Sequence, residues 1–485
     1  MAHAVAWSAA ARWIAQILSW ASTIIVARIL TPYDYGIVGM AGLYLNLAIL
    51  VSQAGVGDAI IALRDLSDRQ IAELNSFSLL MSAVLAGVTC VVAIPIARFF
   101  SAPPLVNVLV VSSIIYVFDG FQVVPRALLQ RELRFKLLAW IETVKALFQI
   151  AVTVGFALLG FRYWSLVFGY IVSSATVSAM TFYYRRHPFA WPRFRRLRRE
   201  MTFSYQVVLA RLAYYAYDNS DFGVAGRVLG EVPLGNYTVA WTISSAPVEK
   251  ISNLLMGVTP AYFSTLQTNK AELRRYLLRL TELLSFVTIP ASIGLAVSAP
   301  FLVPVLLGPK WLGVVGPLRL LGLFVAVRSV ATILPNLLTA IGDAGFVMWA
   351  SVASAIVMPI TFLIGSRWGT IGIAAGWAIA YPPMMLPFYF RVFRKTEMRI
   401  GSYVSAVLPA LNASAIMGVI VLITYRLLPA SNGPLANLVI IVLVGAFAYV
   451  GAVGLFHRER ALRLITGIRN TLRARESVAL DGAAK

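Results

Sequence analysis

Long apolar segments, separated by short polar or basic stretches, recur along the whole chain. A helix needs about 20 consecutive apolar residues to cross the hydrocarbon core of a bilayer. The pattern therefore predicts an all-α polytopic membrane protein with about 14 transmembrane helices. The predicted spans are 6–29, 36–57, 74–97, 105–128, 137–159, 163–184, 203–229, 234–260, 280–306, 314–340, 345–365, 371–390, 402–425 and 435–456.

An internal repeat relates the first part of the chain to the second. A shift of 199 residues places Arg12 on Arg211 and Arg28 on Arg227 without a gap. Self-similarity at a fixed period indicates a duplication, and six spans in each copy make the two copies parallel in the membrane. The predicted organisation is an N-terminal six-helix lobe at 1–184, a basic cytoplasmic linker at 185–200, a C-terminal six-helix lobe at 201–400, two additional transmembrane helices within 401–456 and a basic cytoplasmic tail at 457–485.

Composition and charge support a membrane protein and set its orientation. Hydrophobic residues make up 59% of the chain and charged residues 13%, whereas soluble domains are about a quarter charged. The net charge of +21 does not indicate nucleic acid, because the basic residues alternate with the apolar spans. With the N-terminus in the cytoplasm, 27 lysines and arginines fall on the inner side and 5 on the outer side. This bias predicts that both termini are cytoplasmic, with membrane lipids as the partners of the basic loops.

Several classes of protein are disfavoured because the residues or motifs that they require are few or absent in this sequence. One cysteine excludes an intramolecular disulfide framework, and three scattered histidines argue against a metal centre. No phosphate-binding glycine loop is present, so we expect neither ATPase activity nor a cofactor. A membrane enzyme would need catalytic groups at a membrane face, and a scaffold does not explain charges within the spans. A secondary transporter remains.

The charged residues within the predicted spans are the candidate functional residues. Charges inside a bilayer usually face a bundle interior or an aqueous cavity. The nine cations within the spans outnumber the acids there, and this excess of positive charge suits an anionic diphosphate. The candidates for binding are Arg211, Arg328, Arg12, Arg227, Arg28, Lys250 and Arg319. Arg126 is interpreted as an anchor, and Glu142 and Lys145 as a structural pair at helical spacing.

The segment 202–230 has the highest concentration of charge, and Arg211 is the strongest candidate in it. Helical geometry places Arg211 and Asp218 on one face, which predicts one wall of a charged, water-filled chamber. An internal pair between these two residues is the structural alternative. For Arg12, Arg28 and Arg227, anchoring at the interface is as well supported as substrate binding. The acids are candidates for coupling to an H+ or Na+ gradient, in the order Asp218, Asp221, Asp119 and Glu249.

Five stretches resemble the bacterial polysaccharide flippase family, the O-antigen and exopolysaccharide (Wzx-type) exporters of the MATE-like MOP superfamily. They are ARILTPYDYGIVGM at 27–40, SQAGVGDAII at 52–61, PRALLQRELRF at 125–135, LLGPKW at 306–311 and VRSVATILPNLLTAIGD at 327–343. The resemblance runs from span 1 to span 12 and is most specific at 125–135. No catalytic signature is involved, so the chain is not expected to be an enzyme.

The resemblance implies two six-helix lobes around a central cavity. It also implies a flippase that moves an undecaprenyl-diphosphate-linked oligosaccharide from the cytoplasmic to the periplasmic leaflet of the bacterial inner membrane by alternating access. The lipid-linked oligosaccharide is the expected partner, and whether a polysaccharide polymerase complex binds stays open. A multidrug extruder of the same superfamily is the alternative, although the excess of cations counts against organic cations as cargo.

Overall fold

The structure is a computed structural model that describes residues 21–52, 55–63, 65–193, 198–256, 263, 266, 269–428, 433–464 and 466. For 198–210 and 247–256 only the backbone is described. Regular structure in these residues is helical throughout, as the apolar pattern predicts. Residues 21–29 are helical. The helices that follow are α1 Pro32–Ser52, α2 Val56–Ala62, α3 Asp68–Phe100, α4 Leu105–Ser112, α5 Ile114–Arg131, α6 Phe135–Leu158, α7 Trp164–Tyr184, α8 Arg198–Val224, α9 Glu231–Met256, α10 Lys270–Leu306, α11 Val315–Ala331, α12 Ile333–Ala340, α13 Ala344–Gly365, α14 Gly369–Thr396, α15 Ile400–Leu427 and α16 Pro434–Phe456.

Ten segments of the described chain are long and apolar enough to cross a membrane. One of them, Ala344–Thr396, consists of α13 and α14 joined by a 3-10 turn at Ser366–Trp368. The helices α8 and α9 overlap the predicted spans 203–229 and 234–260, and residues 257–260 lie outside the described part of the chain. The polytopic all-α class is confirmed, and the predicted number of about 14 spans stays a prediction.

The chain divides into two compact units. Unit 1 comprises 1–239, 306–313 and 348–373, and unit 2 comprises 240–305, 314–347 and 374–485. The first predicted lobe, 1–184, lies wholly in unit 1. The predicted lobe boundaries follow the 199-residue repeat, whereas the two units are defined by contacts between residues. The lobe boundaries therefore stay a prediction.

Unit 1 contains a close-packed group of helices, α3 to α7. Gly120 of α5 lies so close to α3 that an added Cβ would be 2.7 Å from Ser82 Oγ, and Gly169 of α7 approaches Thr153 of α6 in the same way. Small residues allow such close approach of membrane helices, where van der Waals packing replaces the hydrophobic effect. These contacts hold α5 against α3 and α7 against α6, and they thereby position the polar residues of α5 and α7.

The first part of the basic linker packs against the start of α3. The backbone N–H of Ala190 donates to Ser76 Oγ at 3.0 Å, and the ring of buried His187 lies 3.3 Å from the Asp68 carbonyl oxygen. Burial lowers the pKa of His187 below its ordinary value, because the charged imidazolium would lose hydration. Residues 185–193 are therefore a structured segment as well as a basic one.

In unit 2 the last two helices share a core with α10. Met417 and Val421 of α15 and Ile441 of α16 are buried together against Ile293. The Tyr449 hydroxyl of α16 donates to the Phe286 carbonyl oxygen at 2.7 Å. Spans 13 and 14 are thus integral to the packing of unit 2.

Repeat-related helices cross at two repeat-related glycines. Helix α1 begins at Pro32 and α9 at Glu231, positions that are 199 residues apart. A Cβ on Gly36 would lie 1.9 Å from the Glu231 carbonyl oxygen, and a Cβ on Gly235 would lie 1.7 Å from the Pro32 carbonyl oxygen. The contact is reciprocal, so the first turns of the two helices are in direct backbone contact.

Candidate functional site

A cavity of about 240 Å³ opens among the helices of unit 1. Helices α1, α4, α5, α6 and α7 all contribute to its wall. Its polar and charged lining residues are Asn46, Ser112, Asp119, Gln122, Arg126, Lys145, Tyr170, Ser173 and Ser174. Such a concentration of amide, hydroxyl and charged groups inside an apolar helix bundle is typical of a binding site.

Asp119 on α5 is the buried acid of this cavity, with only 6% of its surface exposed. Its Oδ1 atom accepts a hydrogen bond from Ser174 Oγ at 2.9 Å and another from Gln122 Nε2. Gln122 follows Asp119 by one helical turn, whereas Ser174 comes from α7. The packing of α5 on α7 therefore gives this buried carboxyl group two hydrogen-bond donors away from bulk water.

Two cations share one carboxylate at the edge of the cavity. Glu142 accepts from the Arg126 guanidinium at 2.8 Å and from the Lys145 ammonium at 3.3 Å. The predicted Glu142–Lys145 contact is confirmed, since helical spacing determines it. The sequence interpretation of Arg126 as an anchor did not include this contact, because Arg126 lies on another helix, sixteen positions from Glu142.

Arg211 on α8 forms its ion pair with Asp58 on α2, at 3.0 Å. Asp58 was not among the predicted candidates, although it lies in the apolar stretch VGDAIIA. Within the described residues Arg211 does not pair with Asp218, so the internal pair considered as the alternative is not formed. Both members of the Arg211–Asp58 pair are partly exposed, and the pair leaves the guanidinium accessible.

The coupling candidate Asp221 is fully buried near the end of α8. The Tyr237 hydroxyl of α9 donates to its Oδ2 atom at 2.6 Å, and the Phe222 backbone N–H donates to its Oδ1 atom at 2.9 Å. These contacts tie the end of α8 to the first turns of α9. Asp218, one helical turn earlier, is partly buried. Asp119 lies in the cavity, apart from these two, and the side chain of Glu249 lies outside the described residues.

Arg28 and Arg227 make contacts that hold loops in unit 1. Arg28 Nε donates to the Leu306 carbonyl oxygen at 2.8 Å, and Lys310 Nζ donates to the Arg28 carbonyl oxygen at 2.7 Å. Arg227 donates to Ser101 Oγ at 3.3 Å. Both arginines are exposed. Their geometry agrees with anchoring, and a role in substrate binding stays a prediction.

In unit 2, Arg328 on α11 lies within a group of aromatic rings. Its guanidinium carbon is 5.4 Å from the centre of the Trp241 ring and 5.9 Å from the centres of the Phe324 and Trp377 rings. Cation–π contacts of this kind stabilise an arginine within an apolar bundle. Arg319 on the same helix is exposed. Arg12 and the side chain of Lys250 lie outside the described residues.

Comparison with known proteins identifies the family of this chain. Residues 25–316 match the polysaccharide biosynthesis protein family, and this region is more than half of the chain. The chain belongs to this family. The resemblance to polysaccharide exporters drawn from the sequence is thereby confirmed.

Relatives of this polysaccharide biosynthesis protein match it over most of their length. An uncharacterized membrane protein in the cps region of Klebsiella pneumoniae is 26% identical over 79% of this chain and 80% of its own. The lipopolysaccharide biosynthesis protein WzxC of Escherichia coli (strain K12) is 24% identical over 85% of this chain and 87% of its own. The succinoglycan biosynthesis transport protein ExoT of Rhizobium meliloti (strain 1021) is 24% identical over 83% and 82%.

Solved structures with the same fold include transporters of two kinds. The lipid II flippase MurJ, in an inward closed conformation, superposes with a TM-score of 0.77 at 14% identity, over 94% of this chain and 99% of its own. A multidrug resistance MATE family transporter of the MOP superfamily superposes with a TM-score of 0.60 at 16% identity, over 79% and 96%. The family member described here therefore has the fold of polytopic membrane transporters.

Proposed function

We propose that this protein is a flippase that moves a lipid-linked oligosaccharide repeat unit, carried on undecaprenyl diphosphate, from the cytoplasmic to the periplasmic leaflet for surface polysaccharide biosynthesis. The observation that carries the proposal is the match to polysaccharide biosynthesis and transport proteins over more than four fifths of their length. A shared family over nearly the whole chain supports a shared class of cargo.

The cavity in unit 1 supports a cargo with many hydroxyl groups. Amide, hydroxyl and carboxylate side chains are the groups that bind sugars through hydrogen bonds. Asn46, Gln122 and Ser173 supply these groups beside Asp119, within a bundle that is otherwise apolar. Arginines such as Arg211 supply the charge that a diphosphate requires.

We propose transport by alternating access, with an ion gradient as the source of energy. Asp218 and Asp221 are the first candidates for coupling to H+ or Na+, followed by Asp119 and Glu249. In this proposal the protein resides in the bacterial inner membrane, with both termini in the cytoplasm. The polyprenyl chain stays in the lipid while the polar head group passes through the protein.

Deletion of the gene, followed by lipid extraction, tests the proposal. We expect one undecaprenyl-linked glycan to accumulate and surface polysaccharide to disappear, because the repeat unit no longer reaches the periplasmic leaflet. Mass spectrometry of the lipid extract measures the first effect and surface carbohydrate staining the second. Complementation with the wild type should reverse both.

A matched control is complementation with Glu132→Gln. This substitution removes a carboxylate that pairs with Arg185 at 2.7 Å and that has no proposed role in binding. Unchanged lipids in the deletion strain, together with increased sensitivity to organic cations, would contradict the proposal and favour a multidrug extruder.

A further inference from the structure

Among the described residues, two oxygen atoms of side chains that line the cavity of unit 1 accept no hydrogen bond. Both donors that reach Asp119 bind its Oδ1 atom, so within the described residues the Oδ2 atom of this 94% buried side chain accepts none. The Gln122 Oε1 atom is also buried, and it has no partner in the part of the chain that the structure describes. A buried acceptor without a donor, such as Gln122 Oε1, is costly, and both residues line the cavity. The cavity is therefore built to accept hydrogen bonds from a ligand.

The charged side chains around the cavity balance one another when Asp119 is ionised. Arg126 and Lys145 carry two positive charges, and Glu142 together with an ionised Asp119 carries two negative charges. A bound anion or cation would leave this low-dielectric site with a net charge, which is unfavourable unless it is paired. An uncharged ligand with hydroxyl groups supplies the missing donors and leaves the balance unchanged.

The size of the cavity suits one small ring. Its volume of about 240 Å³ lies below the roughly 300–1,000 Å³ of pockets for drug-sized molecules. The apolar side chains of Ile115 and Val167 line the cavity with the polar residues. A sugar ring has both kinds of surface, since its hydroxyls lie around the edge and its C–H groups on the faces.

We propose that this cavity binds one uncharged sugar residue of the transported oligosaccharide. Ring hydroxyls donate to Asp119 Oδ2 and Gln122 Oε1, and Ser174 positions the carboxylate through its bond to Oδ1. The diphosphate binds elsewhere. This inference rests on the proposed function and adds which part of the cargo occupies the bundle of unit 1.

The first test fills the cavity without altering its charges. Gly42 lines the cavity, and a Cβ added there would meet only Asn46 Nδ2, at 3.9 Å. We expect Gly42→Leu to reach the membrane at the wild-type level and to abolish surface polysaccharide in the complemented deletion strain. Gly87→Leu is the matched control, because Gly87 of α3 lies outside the cavity lining and a Cβ there would meet nothing within 4 Å. It should export normally.

The second test measures binding directly. The probe is the oligosaccharide released by mild acid from the accumulated lipid, and purified protein in lipid nanodiscs is titrated with it. Asp119→Asn places an amide nitrogen where an accepting oxygen stood, so the dissociation constant should rise about 10- to 100-fold. Gly42→Leu should show no binding, and Gly87→Leu should bind as the wild type does.

The outcomes separate this inference from the proposed function. If the deletion accumulates no lipid-linked glycan, the proposed function itself fails. If the glycan accumulates but Gly42→Leu exports and binds like the wild type, only the sugar site is wrong. If Asp119→Asn keeps full glycan affinity and loses its response to an imposed pH gradient, Asp119 is a proton site and the inference is overturned. Should Asp119→Asn fail to reach the membrane, Gly42→Leu alone decides.

Discussion

Single residues make contacts that their position in the chain does not reveal. Arg211 was the strongest candidate from the sequence, and its observed partner, Asp58, is 153 positions away. The exposed fraction is 45% for the Arg211 side chain and 32% for that of Asp58. In the water-filled chamber predicted for this helix, ion pairs as exposed as this contribute about 0–1 kcal/mol to stability, because solvent screens them. The small stabilisation from this pair does not by itself explain why an arginine lies within a predicted membrane span.

Comparing substitutions of Arg211 and Asp58 tests whether Arg211 binds the diphosphate. Arg211→Ala and Asp58→Ala should both leave the protein at its normal level in the membrane, since the pair contributes little to stability. Only Arg211→Ala should abolish export if its guanidinium binds the diphosphate. Arg211→Lys should retain partial export, because the charge remains while the bidentate geometry is lost. Surface polysaccharide and membrane protein level are measured in the same cells.

The double variant Arg211→Ala, Asp58→Ala completes the comparison. It should be as inactive as Arg211→Ala. Equal defects in the two single variants, with recovery in the double variant, would instead assign Arg211 to a structural pair.

At the scale of elements, α1 and α9 are in close backbone contact at two positions that the predicted repeat relates. Gly36 and Gly235 are related by the 199-residue shift, and each occupies a position where the other helix leaves no room for a Cβ. The two close approaches are therefore reciprocal, as the predicted 199-residue repeat would make them. Any side chain must push backbone away from backbone, which cannot be relieved by a rotamer change.

Alanine at either glycine should destabilise the protein. In a helix, alanine is favoured over glycine by about 0.5–1 kcal/mol, but the clash with a backbone carbonyl costs about 1–3 kcal/mol and outweighs that gain. We expect Gly36→Ala and Gly235→Ala to lower the melting temperature of the purified protein and its level in the membrane. Gly87→Ala, at an open helical position, should leave the melting temperature unchanged or raise it. A melting temperature unchanged in all three variants would show that the crossing tolerates a methyl group.

For the whole molecule, the distribution of basic residues predicts the orientation in the membrane. The predicted inner side includes the linker 185–200, and the predicted outer side includes the loop at Arg367. The structure identifies accessible positions in both, because the exposed fraction is 84% for Trp191 and 68% for Trp368.

Cysteine labelling at these two positions tests the orientation. Cys90 is the chain's single cysteine, so Cys90→Ser gives a background without thiols. In that background, Trp368→Cys should react with a membrane-impermeant maleimide in intact spheroplasts. Trp191→Cys should react only after the membrane is opened, because a positive loop stays in the cytoplasm. The reverse pattern would invert the orientation.

The sequence alone determined the properties that depend on local or summed chemistry. The positions of the helices follow from runs of apolar residues, since a helix in lipid satisfies all its backbone hydrogen bonds within one segment. The contact between Glu142 and Lys145 follows from helical spacing, and the family follows from motifs that are continuous in the chain.

Only the tertiary structure decided which side chains meet across helices. The bonds of Arg126 to Glu142, Ser174 to Asp119 and Arg211 to Asp58 join residues on different helices. Each depends on the rotation, depth and crossing angle of two helices, and small residues such as Gly120 and Gly169 set these through packing. The hydrophobic pattern of a membrane helix carries little of this information, because its lipid-facing and buried sides are both apolar. The cavity at Asp119 therefore depends on how several helices pack together, which the sequence does not show.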